Sequence, residues 1–180
     1  DELPEQALAL GVDVIESDVR LTRDGELVLC HDASVERTTN GRGSVAELSL
    51  AELRRFDAGW HFSRDGVTYP HRGCGLRIPT LDEALAVSPG LRLNLDLKSD
   101  DPALIGRLVD AIELGRLTDR LLVASHTDAV IRRFRAACRG RVATAAGPRE
   151  VAAFLAAVRL GARRGLRPDY DAGVPPERIV

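Results

Sequence analysis

Two carboxylates, Glu16 and Asp18, lie two residues apart in an extended run, residues 11–25, that reads Gly-Val-Asp-Val-Ile-Glu-Ser-Asp-Val-Arg-Leu-Thr-Arg-Asp-Gly. Strand residues two apart share a face, so the two acids project together with Ser17 opposite. Like charges on one face repel, and burial sharpens the repulsion unless a cation or protons sit between them. A metal site is the economical reading. The chain continues Glu-Leu-Val-Leu-Cys-His31-Asp32, a second short strand joined to the first by a tight turn. It ends in a histidine, the side chain whose proton moves near neutral pH. Asp32 points to the opposite face of a continued strand and reads as a turn former. A third strand, 91–97, carries Asp96 near its end, with Lys98 two residues on and on the same face.

Alternating strand and helix signals must position these groups. A short amphipathic helix is predicted over 50–56, followed by an irregular stretch, 57–77, rich in glycine and aromatic residues. Thr80 and Glu83 form a capping-box pattern at the head of a helix over 80–87. The strand at 91–97 is followed by a helix over 102–114, with Leu104, Ile105, Leu108, Val109 and Ile112 on one side. Then come a strand at 121–125, a helix at 129–138, a strand at 141–145 and a helix at 148–160 with proline in its first turn. A last strand is predicted at 169–174, and the opening residues, 1–11, resemble the final turns of a helix. Strands separated by helices of about ten residues argue for βαβ units and a parallel sheet. No linker or composition shift divides residues 1–180, so one domain is expected. Glu16 and Asp18, His31 and Asp96 each fall at the end of a predicted strand, where barrel enzymes place their catalytic groups.

Composition narrows the function classes. The 180 residues are 44% hydrophobic, and 25 Lys and Arg against 27 Asp and Glu leave a formal net charge of −2. That balance gives no support to a nucleic-acid or membrane-surface partner. The three cysteines lack paired spacing and read as free thiols, with a cytoplasmic setting expected. No apolar stretch is long enough to span a bilayer, and no signal peptide is visible.

Five segments, in order and at compatible spacing, resemble the glycerophosphodiester phosphodiesterase family. They are the run 11–25, Leu-Val-Leu-Cys-His-Asp ending at Asp32, Arg37-Thr-Thr-Asn-Gly-Arg-Gly, Ile78-Pro-Thr-Leu-Asp-Glu-Ala-Leu, and Leu93-Asn-Leu-Asp-Leu-Lys98. The resemblance implies a TIM (β/α)₈ barrel of the phosphatidylinositol-phosphodiesterase-like type, incomplete in this chain. Such barrels take about 250 residues. The family's first strand with its His-Arg-Gly, and its C-terminal strands, are expected to be missing. His71-Arg72-Gly73 repeats that triplet but follows the acidic strand instead of preceding it, so it is assigned to loop packing. His61, between Trp60 and Phe62, is placed at the substrate entrance and His126 at the pocket rim.

The resemblance further implies that Glu16, Asp18 and Asp96 bind one divalent cation, for which an all-carboxylate set favours Mg²⁺ or Ca²⁺ over Zn²⁺. His31 becomes a general acid or base and Lys98 a phosphate ligand. Arg37 is expected to brace its loop through backbone carbonyls. The implied reaction is hydrolysis of a glycerophosphodiester to sn-glycerol 3-phosphate and an alcohol, on a small-molecule substrate. Two alternatives differ: a non-catalytic truncated remnant, and a related lyase that forms cyclic phosphates from lysophospholipids. The Arg-Thr-Thr and Ile-Pro-Thr-Leu segments favour the hydrolase. Oligomeric state is not legible.

Overall fold

A computed structural model describes residues 11–161 and 169–172, which divide between two compact units, one up to Leu91 and one from Arg92. The first unit begins with an antiparallel hairpin. Strand β1 (Val14–Leu21) pairs with β2 (Leu27–Leu29) in the register Val19↔Leu29, Arg20↔Val28, Leu21↔Leu27. The turn closes on Thr22, whose carbonyl accepts the Gly25 N–H at 3.0 Å and whose hydroxyl accepts the Glu26 N–H at 2.9 Å. Gly25 sits at φ 84°, a conformation that side chains resist. Because the hairpin pairs as far as Leu21, β1 is longer than its acidic positions suggested. Glu16 and Asp18 lie within the strand and not at its end.

Beyond β2 the chain keeps close to its neighbours. The Cys30 N–H donates to the Asp18 carbonyl at 2.9 Å, and the Leu29 N–H donates to the Pro79 carbonyl at 2.9 Å. Val28 forms an antiparallel bridge with Thr80. Thr80 then caps helix α2 (Leu81–Ala86), following α1 (Leu50–Leu53), and each helix opens with a completed capping box. In α2 the Thr80 hydroxyl accepts the Glu83 N–H at 3.1 Å and the Glu83 carboxylate accepts the Thr80 N–H at 2.9 Å. Helix α1 is shorter than the pattern predicted. Its last turn tightens, with the Phe56 N–H bonding to the Leu53 carbonyl, and Phe56 turns in against the core. That core is Val28, Val35, Val45, Leu53 and Ile78. Each such side chain, taken out of water, contributes roughly 1.5–3 kcal/mol.

The second unit is a β-α-β-α-β-α run with parallel strands: β3 (Arg92–Leu97), α3 (Pro102–Gly115), β4 (Leu121–Ala124), α4 (Asp128–Ala137), β5 (Ala143–Thr144) and α5 (Pro148–Arg159). Strand β4 lies between β3 and β5, with Asp96 opposite Ala124 and Val123 opposite Thr144. Leu93, Leu95 and Leu97 are almost wholly buried, which leaves Asn94, Asp96 and Lys98 on the other face. Helix α3 starts at Asp101, whose carboxylate accepts the Ala103 N–H at 2.8 Å, and carries Pro102 at its first position. It buries Leu104, Ile105, Leu108 and Ile112, and packs with α4, which buries Val130, Ile131 and Phe134. Arg135 ties three elements together. Its guanidinium donates to both Glu150 carboxylate oxygens, to the Thr144 hydroxyl and to the Ala145 carbonyl.

Of the expected strand over 169–174, only 169–172 are described, and Ala172 bridges Ala145 in parallel. The helix expected over 1–11 lies, but for Gly11, outside the described residues. Among the described residues no helix is long and apolar enough to cross a membrane, and Cys30, Cys74 and Cys138 are free thiols.

Candidate functional site

His31, two residues past β2, is held by its backbone and by its ring. The Arg20 guanidinium donates to the His31 carbonyl from Nε at 3.1 Å and from Nη2 at 2.7 Å. The Nδ1 of His31 lies 2.7 Å from Asp32 Oδ1. Asp32 is therefore a partner of the histidine, which corrects its reading as a turn former on the opposite face. The regular strand ends at Leu29, and without the pleat Asp32 is free to turn back onto its neighbour. Arg37 is also corrected. Its Nε and Nη2 donate to the Asp32 carboxylate at 2.5 and 3.1 Å, and no backbone carbonyl is involved in that contact. The Arg37 fork, and then the His31 hydrogen bond, hold the Asp32 carboxyl at about 2, below its ordinary 3.8.

An ionised Asp32 accepts only, so the ring nitrogen facing it carries the proton. That leaves His31 Nε2 as the nitrogen able to accept or donate a proton elsewhere, and the imidazole is 55% exposed. In the same Arg-Thr-Thr segment Thr39 is structural. Thr39 is buried, bonding the Val35 carbonyl through its hydroxyl and accepting the Gly41 N–H. Burial pushes the neighbouring Cys30 thiol up from its ordinary value.

In the second unit the polar face of β3 gathers around Asp96. Lys98 Nζ donates to Asp96 Oδ2 at 2.8 Å, and the two side chains are only 12% and 17% exposed. Lys98 is the sole lysine of the chain. His126, just beyond β4, brings Nδ1 to 3.4 Å from the same Oδ2. Among the described residues the other oxygen, Asp96 Oδ1, is buried without a hydrogen-bond partner, and so is Asn94 Oδ1 two residues earlier. An orphaned, buried carboxylate oxygen fits a hard cation, since leaving it unmet costs on the order of 1–3 kcal/mol or more. Among the described residues no three His, Cys, Asp or Glu side chains are gathered closely enough to cage a metal ion. Glu16 is exposed and Asp18 half-buried on β1.

The remaining histidines serve the 57–77 stretch. The His71 ring packs on Phe62 with centroids 4.8 Å apart, and the Arg72 guanidinium lies 3.8 Å from the centre of the Tyr69 ring and 4.6 Å from that of Trp60. His61 is exposed beside them. Sequence reasoning missed Arg20, Asp32 and Arg37 as supports of His31, and it left Asn94 unconsidered. Arg20 was findable, because it lies two residues past Asp18 on a strand whose hairpin returns beside it. The pairing of Arg37 with Asp32 arises in a loop, where no periodicity announces it.

The model of the glycerophosphoryl diester phosphodiesterase family matches residues 4–162. A glycerophosphodiester phosphodiesterase of Caldanaerobacter subterraneus is 36% identical over 126 residues, 67% of this chain and 49% of that one. The glycerophosphoryl diester phosphodiesterase domain of a Mycobacterium tuberculosis protein superposes with a TM-score of 0.76 at 26% identity, covering 91% of this chain and 59% of that one. An Oleispira antarctica phosphodiesterase, solved in complex with the product sn-glycerol-3-phosphate, superposes with a TM-score of 0.63 at 29% identity, over 79% of this chain and 57% of that one. The fold is the TIM-barrel type that the resemblance implied. The chain spans about half the length of the Caldanaerobacter relative.

Proposed function

Since this chain belongs to the glycerophosphoryl diester phosphodiesterase family, we propose that the protein hydrolyses a glycerophosphodiester to sn-glycerol 3-phosphate and an alcohol. The observation that carries the reading is the doubly held His31. Arg20 fixes its carbonyl, and the Asp32–Arg37 pair orients its ring so that Nε2 faces away from the carboxylate. A histidine oriented in this way takes a proton from an attacking hydroxyl or gives one to a departing alkoxide. The sn-glycerol-3-phosphate bound by the Oleispira relative supports the same product class here.

By the family resemblance Glu16, Asp18 and Asp96 would hold one divalent cation, Mg²⁺ or Ca²⁺; the unmet oxygen of Asp96 supports the part of Asp96 alone, since no three such side chains gather among the described residues. When bound, such a cation polarises the phosphoryl group and lowers the pKa of the oxygen that attacks. Lys98 supplies a point charge for a non-bridging phosphate oxygen, moving there from Asp96 Oδ2. The test is release of sn-glycerol 3-phosphate from glycerophosphocholine by the full-length protein, with and without Mg²⁺ or Ca²⁺. Replacing His31 by Ala is expected to lower kcat by about 10²–10⁴-fold while the fold survives. Turnover at the parent rate in His31→Ala would remove the histidine from the mechanism.

A further inference from the structure

We propose that Arg72 is a specificity-determining residue, a guanidinium fixed in place to receive a carboxylate carried by the alcohol half of the substrate. The inference rests on the reading of the protein as a glycerophosphodiester hydrolase. Residues 57–77 belong to the excursion that leaves β2 after Leu29 and returns at Thr80 to cap α2. Both ends of this loop stay beside the strand exit that carries His31. At one end Phe56 packs on the core that holds Val28 and Val35. At the other the Leu29 N–H donates to the Pro79 carbonyl, and the Ala58 N–H closes the loop on the Leu76 carbonyl, each at 2.9 Å. The Asp57 N–H donates to Asn40 Oδ1 at 2.8 Å, while the Asp57 carboxylate accepts the Gly59 and Gly73 N–H groups at 2.9 and 2.6 Å. A braced loop at the exit of a barrel strand is where such folds read their substrates.

Within this frame two rings and a carbonyl hold Arg72. Its Nε donates to the Trp60 carbonyl at 2.9 Å, and its guanidinium lies over the Tyr69 ring at 3.8 Å and the Trp60 ring at 4.6 Å. Among the described residues Nη1 and Nη2 meet no hydrogen-bond acceptor, and the side chain is exposed. A guanidinium already held has little rotamer freedom left to lose, so its outer edge offers parallel N–H groups to a planar anion at small further cost. The acids of the loop do not compete for that edge. Asp57 is engaged as described, and Asp65 accepts the Val67 and Thr68 N–H groups and the Ser63 and Thr68 hydroxyls. A Trp and a Tyr ring facing one cation also suit a quaternary ammonium. Here the chain's own cation fills that place, so a choline head group meets a like charge.

The experiment measures kcat/KM of the full-length protein, by release of sn-glycerol 3-phosphate, on three esters. They are glycerophosphoserine, glycerophosphoethanolamine, which lacks only the carboxylate, and glycerophosphocholine. The parent is expected to favour the serine ester over the ethanolamine ester by about tenfold, the worth of one charge-assisted contact open to solvent at its edge. Arg72→Ala is expected to bring that ratio to about one, and to raise the choline ester about threefold as the two rings become free. Arg72→Lys keeps the charge without the fork, and is expected to retain a ratio of about three while leaving the choline ester unimproved. A ratio unchanged in Arg72→Ala overturns the proposal even if every rate falls, because a merely structural role lowers all three together. A parent with no preference for the serine ester overturns it too, while the hydrolase reading stands. If none of the esters is cleaved, the hydrolase reading falls and the role of Arg72 with it. Should Arg72→Ala not fold, a parent-like ratio in Arg72→Lys overturns the proposal.

Discussion

Removing the Arg37 guanidinium tests how the His31 region is held. Asp32 falls from an ordinary 3.8 to about 2, chiefly because Arg37 donates two hydrogen bonds to it. If the whole depression were free energy of folding, it would amount to about 2.4 kcal/mol at 1.36 kcal/mol per decade. Arg37 is 64% exposed and Asp32 26% exposed, so solvent and salt screening reduce this to about 1 kcal/mol. The sign follows from linkage. A carboxyl whose folded value lies below its unfolded value stabilises the fold above the unfolded value, and the contribution is lost as pH falls through the folded one. Arg37→Ala is therefore expected to be about 1 kcal/mol less stable than the parent in urea at pH 6, and about half that at pH 3. The Asp32 carboxyl resonance, followed by carbon-13 NMR, is expected to titrate higher in the variant. A deficit equal at both pH values, or a carboxyl still titrating near 2, would refute the reasoning. Because Asp32 stays ionised at neutral pH without Arg37, turnover at pH 7 is expected to drop only a few-fold.

Asp32→Ala makes the complementary case, since it removes the acceptor facing His31 Nδ1. Turnover of glycerophosphocholine is expected to fall by at least about tenfold at pH 7, part of what general acid–base catalysis supplies, and an unchanged rate would show that ring orientation is irrelevant. Thr80→Ala deletes a buried N-cap whose hydroxyl accepts the Glu83 N–H, and urea denaturation is expected to read a loss of about 1 kcal/mol. Gly59→Ala would place a Cβ 2.4 Å from the His71 carbonyl oxygen, a backbone atom that cannot step aside. A loss of roughly 1–3 kcal/mol in a thermal melt is the expected outcome, with altered near-ultraviolet circular dichroism from Trp60.

Much of the architecture was legible because its signals are local. The Thr80–Glu83 capping box, proline at the first position of α3 and α5, and the Leu93, Leu95 and Leu97 alternation all act within one turn or along one strand. The same locality puts Asp96 and Lys98 on one face by the strand period alone, and the five family segments name the chemistry. What a side chain bonds to across a hairpin, a loop or a neighbouring strand is different, because sequence separation no longer measures distance. Arg20 reaches the His31 carbonyl eleven residues on, Arg37 folds back to Asp32, and His126 meets Asp96 across thirty residues of chain. A period of two could place Asp32 on a face but could not foresee that the strand stops at Leu29. The residue types and spacing in the chain determined that acids, a histidine and a lysine would stand at strands. Only the tertiary structure decided which donor holds which oxygen, because those contacts depend on where strands end and what packs beside them.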